Sequence, residues 1–560
     1  MLRYAPALTI ALLIGPVLFG LAATLAPAFG WLPSLGGMEL TFDHFHAFLA
    51  YPGVPLPLAL SLATGLAATA LGLLITFAFV AGWAGTPTFA RMQHAISPLL
   101  AIPHAAAALG LAFLVAPSGF LMRLISPWLT GLERPPDWLI VGDPWGLTMI
   151  AGLVVKEVPF LLLVTLAALP QTQAVSGRRI ATSFGYGRIA AFAFVTWPRI
   201  YGQIRLAVFA VLAYATSVVD VAVILGPSIP PTLAVRLTQW MADPDIALRF
   251  TASAGAVVQL AITGLAILLW IGGEKLASLL SVALRDHGLR MRRDGLARNT
   301  ALTAMMATAA TVFGGLTVLA IWSVAGLWQF PDTFPETLTT RTWARALPSM
   351  GDSLATTVTV AIASTALATL LTLGCLERET RTGRTGGNRA LWLLYLPLIV
   401  PQVSFVFGLQ LFFISARFDA TWAALVLTHL VFVLPYVFLS LSDPWRAQDP
   451  RYGALAAGLG AKPSRVFWRI RLPMMTKPAL TAAAVGFAVS VGQYLPTLLV
   501  GAGRYETVTT RAVALASGGD RRVLGAYAFA QMVLPFLAFL VATLVPALLH
   551  RNRRAMVATA

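Results

Sequence analysis

The side chains of greatest chemical consequence in this sequence are ionisable or amide groups set inside long apolar runs. Lys156 and Glu157 are adjacent in the run 144–168. Asp220 closes the phrase Ser217-Val218-Val219-Asp220, Gln493 closes Ser490-Val491-Gly492-Gln493, and His429 sits in the run 420–441. A charge at the centre of a hydrocarbon layer costs at least about 2.5 kcal/mol, so such groups mark ion or solute paths or bond one helix to another. Consecutive helical residues diverge by about 100°, so Lys156 and Glu157 cannot both face one partner. Two readings stand for this pair: a place on a path, or a packed pair between two parts of the molecule. Asp220 and Gln493 hold matching places in two runs. Either they face a central path from opposite sides, one charged and one neutral, or they join helices by hydrogen bonds. His429 reads as a packed, hydrogen-bonded histidine rather than a ligand.

Covalent chemistry finds no support. There is no G-x-x-x-x-G-K-[ST] phosphate loop and no HExxH. The single cysteine, Cys375, forbids an internal disulfide, and seven scattered histidines make no zinc cluster. No catalytic residue, metal site or bound cofactor is expected.

The elements that position these groups follow from composition. A soluble globular chain carries about 25% charged residues. Here 11% of 560 residues are charged, 58% are hydrophobic, and mean hydropathy is +0.79. Unbroken Ala- and Leu-rich runs, each near the 20 residues that span a bilayer, make helices rather than barrel strands. Twelve are expected, near 6–29, 56–82, 93–115, 144–168, 202–227, 250–272, 301–325, 352–375, 391–412, 420–441, 476–499 and 524–548. Pro, Gly and the Lys-Glu pair interrupt the pattern at 93–115 and 144–168. The first run is long and lacks a small-residue cleavage site, so it reads as a retained helix rather than a signal peptide.

The formal net charge of +17 would suggest nucleic acid in a soluble protein. In this chain the Arg and Lys lie between the apolar runs, where they orient a membrane protein. Alternate loops are basic: Arg178, Arg179, Arg188 and Arg199; Arg285, Arg290, Arg292 and Arg293; Arg378 to Arg389; Arg446 to Lys477; and the tail Arg551, Arg553 and Arg554. This bias puts both termini in the cytoplasm of a bacterial inner-membrane protein. The most basic linker, 273–300, divides the chain into halves 1–272 and 301–560. The halves resemble repeats, with Lys156-Glu157-Val158-Pro159-Phe160-Leu161 in one fourth span and Val431-Phe432-Val433-Leu434-Pro435-Tyr436 in the other. The expected fold is therefore an all-α polytopic membrane protein of about twelve transmembrane helices in two homologous six-helix halves.

A long inside loop follows each of those phrases. In the second, Gly460 is followed ten residues later by Ile470 and thirteen later by Pro473; in the first, Gly185 stands at the same distances from Val195 and Pro198. Each reads as a short amphipathic helix, a tight turn at Gly, and a second helical stretch whose Pro begins the next membrane helix. Small residues, Ala181 and Ala456, suit close docking against another protein.

This pattern resembles the cytoplasmic loop of ABC importer permeases: Glu-Ala-Ala, three residues, Gly, nine residues, Ile, any residue, Leu-Pro. The second copy supplies Ala454, Leu455, Ala456, Gly460, Ile470, Leu472 and Pro473. The first supplies Arg179, Ile180, Ala181, Gly185, Val195, Trp197 and Pro198. Both lack the leading Glu. Across nearly the whole chain the arrangement resembles two fused permease halves, as in the ferric-iron and thiamine importer group. The resemblance implies coupling helices near 173–186 and 448–461 that dock on two copies of an ABC ATPase subunit. ATP and Mg would be bound by those subunits, not by this chain. It also implies a periplasmic substrate-binding protein and alternating access for a small solute such as an iron complex or thiamine, moved from periplasm to cytoplasm. Lys156, Glu157, Asp220 and Gln493 are the candidate path residues. The alternative is an ion-coupled secondary transporter, in which Asp220 and Glu157 would couple ions and the matched loops would have no role.

Overall fold

A computed structural model describes residues 2–172, 174–384, 386–549 and 551; Gln173, Arg553 and Arg554 lie outside this set. Helices dominate, and among the described residues extended pairing is confined to two isolated bridges. This is the expected outcome where lipid cannot satisfy backbone groups and each segment must do so internally. Among the described residues ten helices have the length and hydropathy to cross a membrane, or twelve if two sharply bent pairs each count as one span.

The first half contains α1 (Ala5–Ala28), α2 (Pro55–Trp83), α3 (Pro87–Ile96), α4 (His104–Val115), α5 (Leu147–Ala168), α6 (Ala174–Ser183), α7 (Trp197–Ser217), α8 (Asp220–Leu225) and α9 (Leu248–Asp286). The second contains α10 (Gly295–Val324), α11 (Arg341–Thr382), α12 (Gly387–Ile399), α13 (Gln402–Ser415), α14 (Trp422–Arg446), α15 (Arg451–Gly458), α16 (Thr476–Val491), α17 (Leu495–Gly501) and α18 (Arg521–Leu549). The same arrangement occurs twice. In the first half α2 lies against α5 and α7; in the second α11 lies against α14 and α16.

The first helix of each half crosses to the other half. α1 lies on α13, and α10 lies on α4. Glycines let the backbones meet, as small residues do in membrane helix pairs. A Cβ added at Gly315 of α10 would stand 2.7 Å from the Gly110 carbonyl carbon of α4. At the equivalent crossing Gly20 of α1 meets Gly408 of α13, and the Gly408 N–H donates to Thr24 Oγ1 at 3.1 Å.

Several expected spans are broken rather than continuous. The stretch 93–115 becomes α3, a 3-10 turn at Ser97–Ala101, extended Ile102 and Pro103, and then α4. The stretch 391–412 breaks at Val400 and Pro401 with an 85° bend. Both breaks have one cause: the residue before a proline is pushed out of the helical region. The stretch 202–227 breaks at Val218 and Val219, and 476–499 breaks between Val491 and Leu495. By contrast α5 runs unbroken through Lys156, Glu157 and Pro159. The linker is also mostly helical. α9 has 39 residues, about 58 Å at helical rise, and passes the expected limit at 272, since six of the nine residues from Leu276 to Leu284 are Leu or Ala, the strongest helix formers. Only 287–294 separates it from α10.

Candidate functional site

The two long loops fold alike from the glycine turn through the π-helical turn that follows it. Two residues past the end of α6 and of α15 stands a glycine with left-handed backbone, Gly185 at φ 80° and Gly460 at φ 79°. The Gly185 N–H donates to the Thr182 carbonyl at 2.9 Å, and the Tyr186 N–H to the Ala181 carbonyl at 3.2 Å. In the second loop the Gly460 N–H donates to Ala457 at 2.9 Å and the Ala461 N–H to Ala456 at 2.9 Å. This double closure of a helix C-terminus requires the positive φ that glycine adopts without strain. Ala181 and Ala456, four residues before each glycine, are buried. Five-residue π-helical turns follow at the same offset, Phe192–Thr196 and Phe467–Arg471. Val195 and Ile470 lie in those turns. Pro198 stands in the first turn of α7, where a missing N–H is harmless, while Pro473 belongs to the short helix Leu472–Met474 before a 72° bend.

Apolar side chains stand out from the same positions in both loops. Five residues before the glycine are Ile180, 61% exposed, and Leu455, 67% exposed; one residue before it are Phe184, 66%, and Leu459, 88%. Side chains of this size thus form two like exposed apolar patches, one on each loop. The loops differ in how they are held. In the second, Arg471 Nη1 donates to Glu377 Oε2 at 2.9 Å, and Arg381 Nε donates to Glu377 Oε1 at 2.6 Å, a buried carboxylate shared by two arginines. The first loop bounds a cleft of about 410 Å³ between Ile180, Phe184, Phe194, Arg199 and Arg285.

Within the membrane the candidate residues divide. Glu157 turns toward His104 at the start of α4, with Oε1 3.3 Å from Nε2. The His104 ring lies 4.7 Å from that of Tyr214 at the end of α7, and the Tyr214 hydroxyl donates to Asp220 Oδ1 at 3.4 Å. Gln493 lies in the break before α17; its Nε2 donates to the Val489 carbonyl at 3.3 Å, while its buried Oε1 has no partner among the described residues. A Cβ added at neighbouring Gly492 would touch Pro103 Cβ at 3.7 Å, so the break in one half abuts the break in the other. Irregular backbone at membrane depth is tolerated where it lines a cavity or is buried in protein. Lys156 points elsewhere: its ammonium donates to the carbonyls of Leu99 and Leu100, at 3.1 and 3.3 Å, and braces the 3-10 turn. His429 is packed as expected, with its ring nitrogens 2.8 Å from Ser490 Oγ and 3.0 Å from Thr497 Oγ1.

Sequence reasoning missed His104, Tyr214 and the Glu377 brace. His104 carried one signal, a histidine directly after a proline in an apolar run. Glu377 sits in a charged helix end, where its burial depends on a partner 94 residues away.

Comparison with known proteins gives a consistent set of likenesses. Residues 371–554 match the family described as binding-protein-dependent transport system inner membrane component. The matched segment contains the second loop, the copy closer to the motif. The chain is 34% identical over 508 residues to the inner membrane ABC transporter permease protein YnjC of Escherichia coli K12, covering 90% of this chain and 91% of that one. It is 31% identical to the molybdenum transport system permease protein ModB of Mycobacterium tuberculosis, over 30% of this chain and 69% of the relative. It is 30% identical to the putrescine transport system permease protein PotI of E. coli K12, over 23% of this chain and 49% of the relative.

Proposed function

The chain belongs to the inner-membrane permeases of ABC importers, and on that premise we propose that its two matched loops are the sites where ATPase subunits grip it. The protein is the transmembrane permease through which a small solute passes by conformational cycling; it does no covalent chemistry, and ATP is hydrolysed on separate subunits. The relatives lend no support to the ion-coupled alternative.

One observation carries the coupling reading: the same turn, buried alanine, π-helical turn and pair of exposed apolar residues occur twice, at the same distances from Gly185 and Gly460. Two identical ATPase subunits need two like surfaces, and a pseudo-twofold permease supplies them. ATP binding draws the subunits together and moves both loops. The broken third and fifth spans of each half then reorient around the midplane. A cycle of this kind needs ligands that stabilise the two states differently: ATP at the loops, and solute at the centre.

In this reading Glu157, Asp220 and Gln493 line the path, while Lys156 holds one of its walls. The carboxylates suit a cationic solute. An iron complex, thiamine or a similar small solute, delivered by a periplasmic binding protein, is one such cargo, but the relatives with a named solute are molybdenum and putrescine permeases and do not favour the ferric-iron and thiamine group. Both termini and both loops are cytoplasmic.

Cysteine cross-linking tests the docking claim. Phe184→Cys and Leu459→Cys should each form a disulfide with a cysteine placed in the cleft of the ATPase, and Leu338→Cys, an exposed residue in the opposite loops, should not. Cross-linking at Leu338 but at neither loop tip would reverse the assignment.

A further inference from the structure

The two loops share a backbone but not their charges. The second carries Lys462, Arg465 and Arg469, all exposed, at two, five and nine residues past its glycine; the first has Gly187, Ala190 and Phe194 there. Beside the first loop runs the non-helical linker 287–294, with exposed Arg290, Arg292 and Arg293.

The linker is bound to the loop. The Gly187 N–H donates to the Arg290 carbonyl at 2.8 Å. The Ile189 N–H donates to the buried carboxylate of Asp294 at 3.1 Å. The approach is close enough to require glycine: a Cβ at Gly187 would stand 3.0 Å from the Met291 carbonyl carbon and 3.2 Å from Asp294 Oδ2. Arg292 Nη2 lies 3.1 Å from the place of a Cβ on Gly185. Its guanidinium thus covers the C-terminal end of α6, where exposed carbonyls favour a cation. Just beyond the linker the chain is fixed again. Arg298 Nε donates to the Gly82 carbonyl at 3.1 Å, its guanidinium lies 5.1 Å from the centre of the Trp83 ring, and Trp83 Nε1 donates to the Arg298 carbonyl at 2.8 Å.

We propose that the linker 287–294 is part of the first docking surface: it holds the first loop in place and adds three exposed arginines beside its turn, where the loop itself has Gly187, Ala190 and Phe194. This rests on the coupling reading above. The partner it fits is an ATPase subunit whose cleft is edged with carboxylates. Such a subunit meets Lys462, Arg465 and Arg469 past the glycine of the second loop, and Arg290, Arg292 and Arg293 beside the turn of the first. Joining the halves in one chain therefore does more than tether them.

The test measures binding of the candidate ATPase to the full-length permease in detergent across a range of NaCl concentrations. The arginines act as a charged rim, so the triple variant Arg290→Ala, Arg292→Ala, Arg293→Ala should bind on the order of tenfold more weakly at low salt and depend less on salt. Asp294→Ala should weaken binding with the salt dependence unchanged, because the charges remain. Gly185→Arg and Gly460→Arg serve as reference. If both glycine variants weaken binding while the triple variant and Asp294→Ala behave as wild type, the linker proposal is overturned and the coupling reading stands. If the glycine variants also bind as wild type, both fall.

Discussion

Replacing Gly408 with valine should loosen the clasp between the two halves. Gly408 lies where α13 of the second half meets α1 of the first. An added Cβ would press on the Gly20 carbonyl oxygen and stand 2.6 Å from the Thr24 backbone nitrogen, where ordinary contact begins at 3.4 Å. Backbone on both sides cannot rotate away as a side chain would. The helices must part by more than an ångström to free the Gly20 carbonyl, and the Gly408 N–H bond to Thr24 Oγ1, 3.1 Å long, is stretched or lost. Overpacking costs about 1–3 kcal/mol, and the lost hydrogen bond about 1. A net loss of about 3 kcal/mol should lower the melting temperature in detergent by roughly 2–3 °C, read by tryptophan fluorescence. Gly110→Val, at the matching crossing of α4 and α10, should also lower it. Gly264→Val, in α9 with open space around it, is the control. If Gly408→Val melts with Gly264→Val, the halves are not clasped through these glycines.

Other outcomes follow from the polar contacts. Arg471→Ala leaves the buried Glu377 with Arg381 alone; because both arginines are partly exposed, the stability loss should be about 1–2 kcal/mol, and solute-driven ATPase activity should fall further than melting temperature does. Asp220→Asn keeps an acceptor for the Tyr214 hydroxyl but removes the charge; uptake in proteoliposomes with the ATPase should fall at least about tenfold with the melting temperature unchanged or raised, and wild-type uptake would remove Asp220 from the path. Lys156→Met strips the Leu99 and Leu100 carbonyls of their donor; about 1–2 kcal/mol of stability should go, seen as a lower melting temperature, whereas an unchanged one would show that the 3-10 turn needs no brace.

Much of the fold was legible because hydrophobic runs are long and periodic patterning is unnecessary where lipid surrounds the helix. The matched glycines were legible for a different reason: a left-handed turn restricts residue type, so the same turn twice leaves the same residue twice. The broken spans were hard to see. Hydropathy does not fall at Val218-Val219 or Val400-Pro401, and only the proline of the second gives warning. The extension of α9 to Asp286 was hidden by basic residues that read as a connector although helix propensity favours them. Contacts that depend on distant segments, such as Glu377 with Arg471 or Asp294 with Ile189, leave no local trace. Lys156 and Glu157 were visible as a costly pair, but which way each turned depended on His104 and on the Leu99–Leu100 turn, fixed only when α4 and α5 come together.

The account turns on two equivalent ATPase-docking loops, and co-purification tests it most directly. The intact permease, Gly185→Arg and Gly460→Arg would each be expressed with the candidate ATPase and recovered in detergent. The account predicts a stable complex for the intact chain and a weakened one for either variant, with all three permeases monodisperse. A folded permease that recovers no ATPase, or recovers it equally in all three forms, would contradict it.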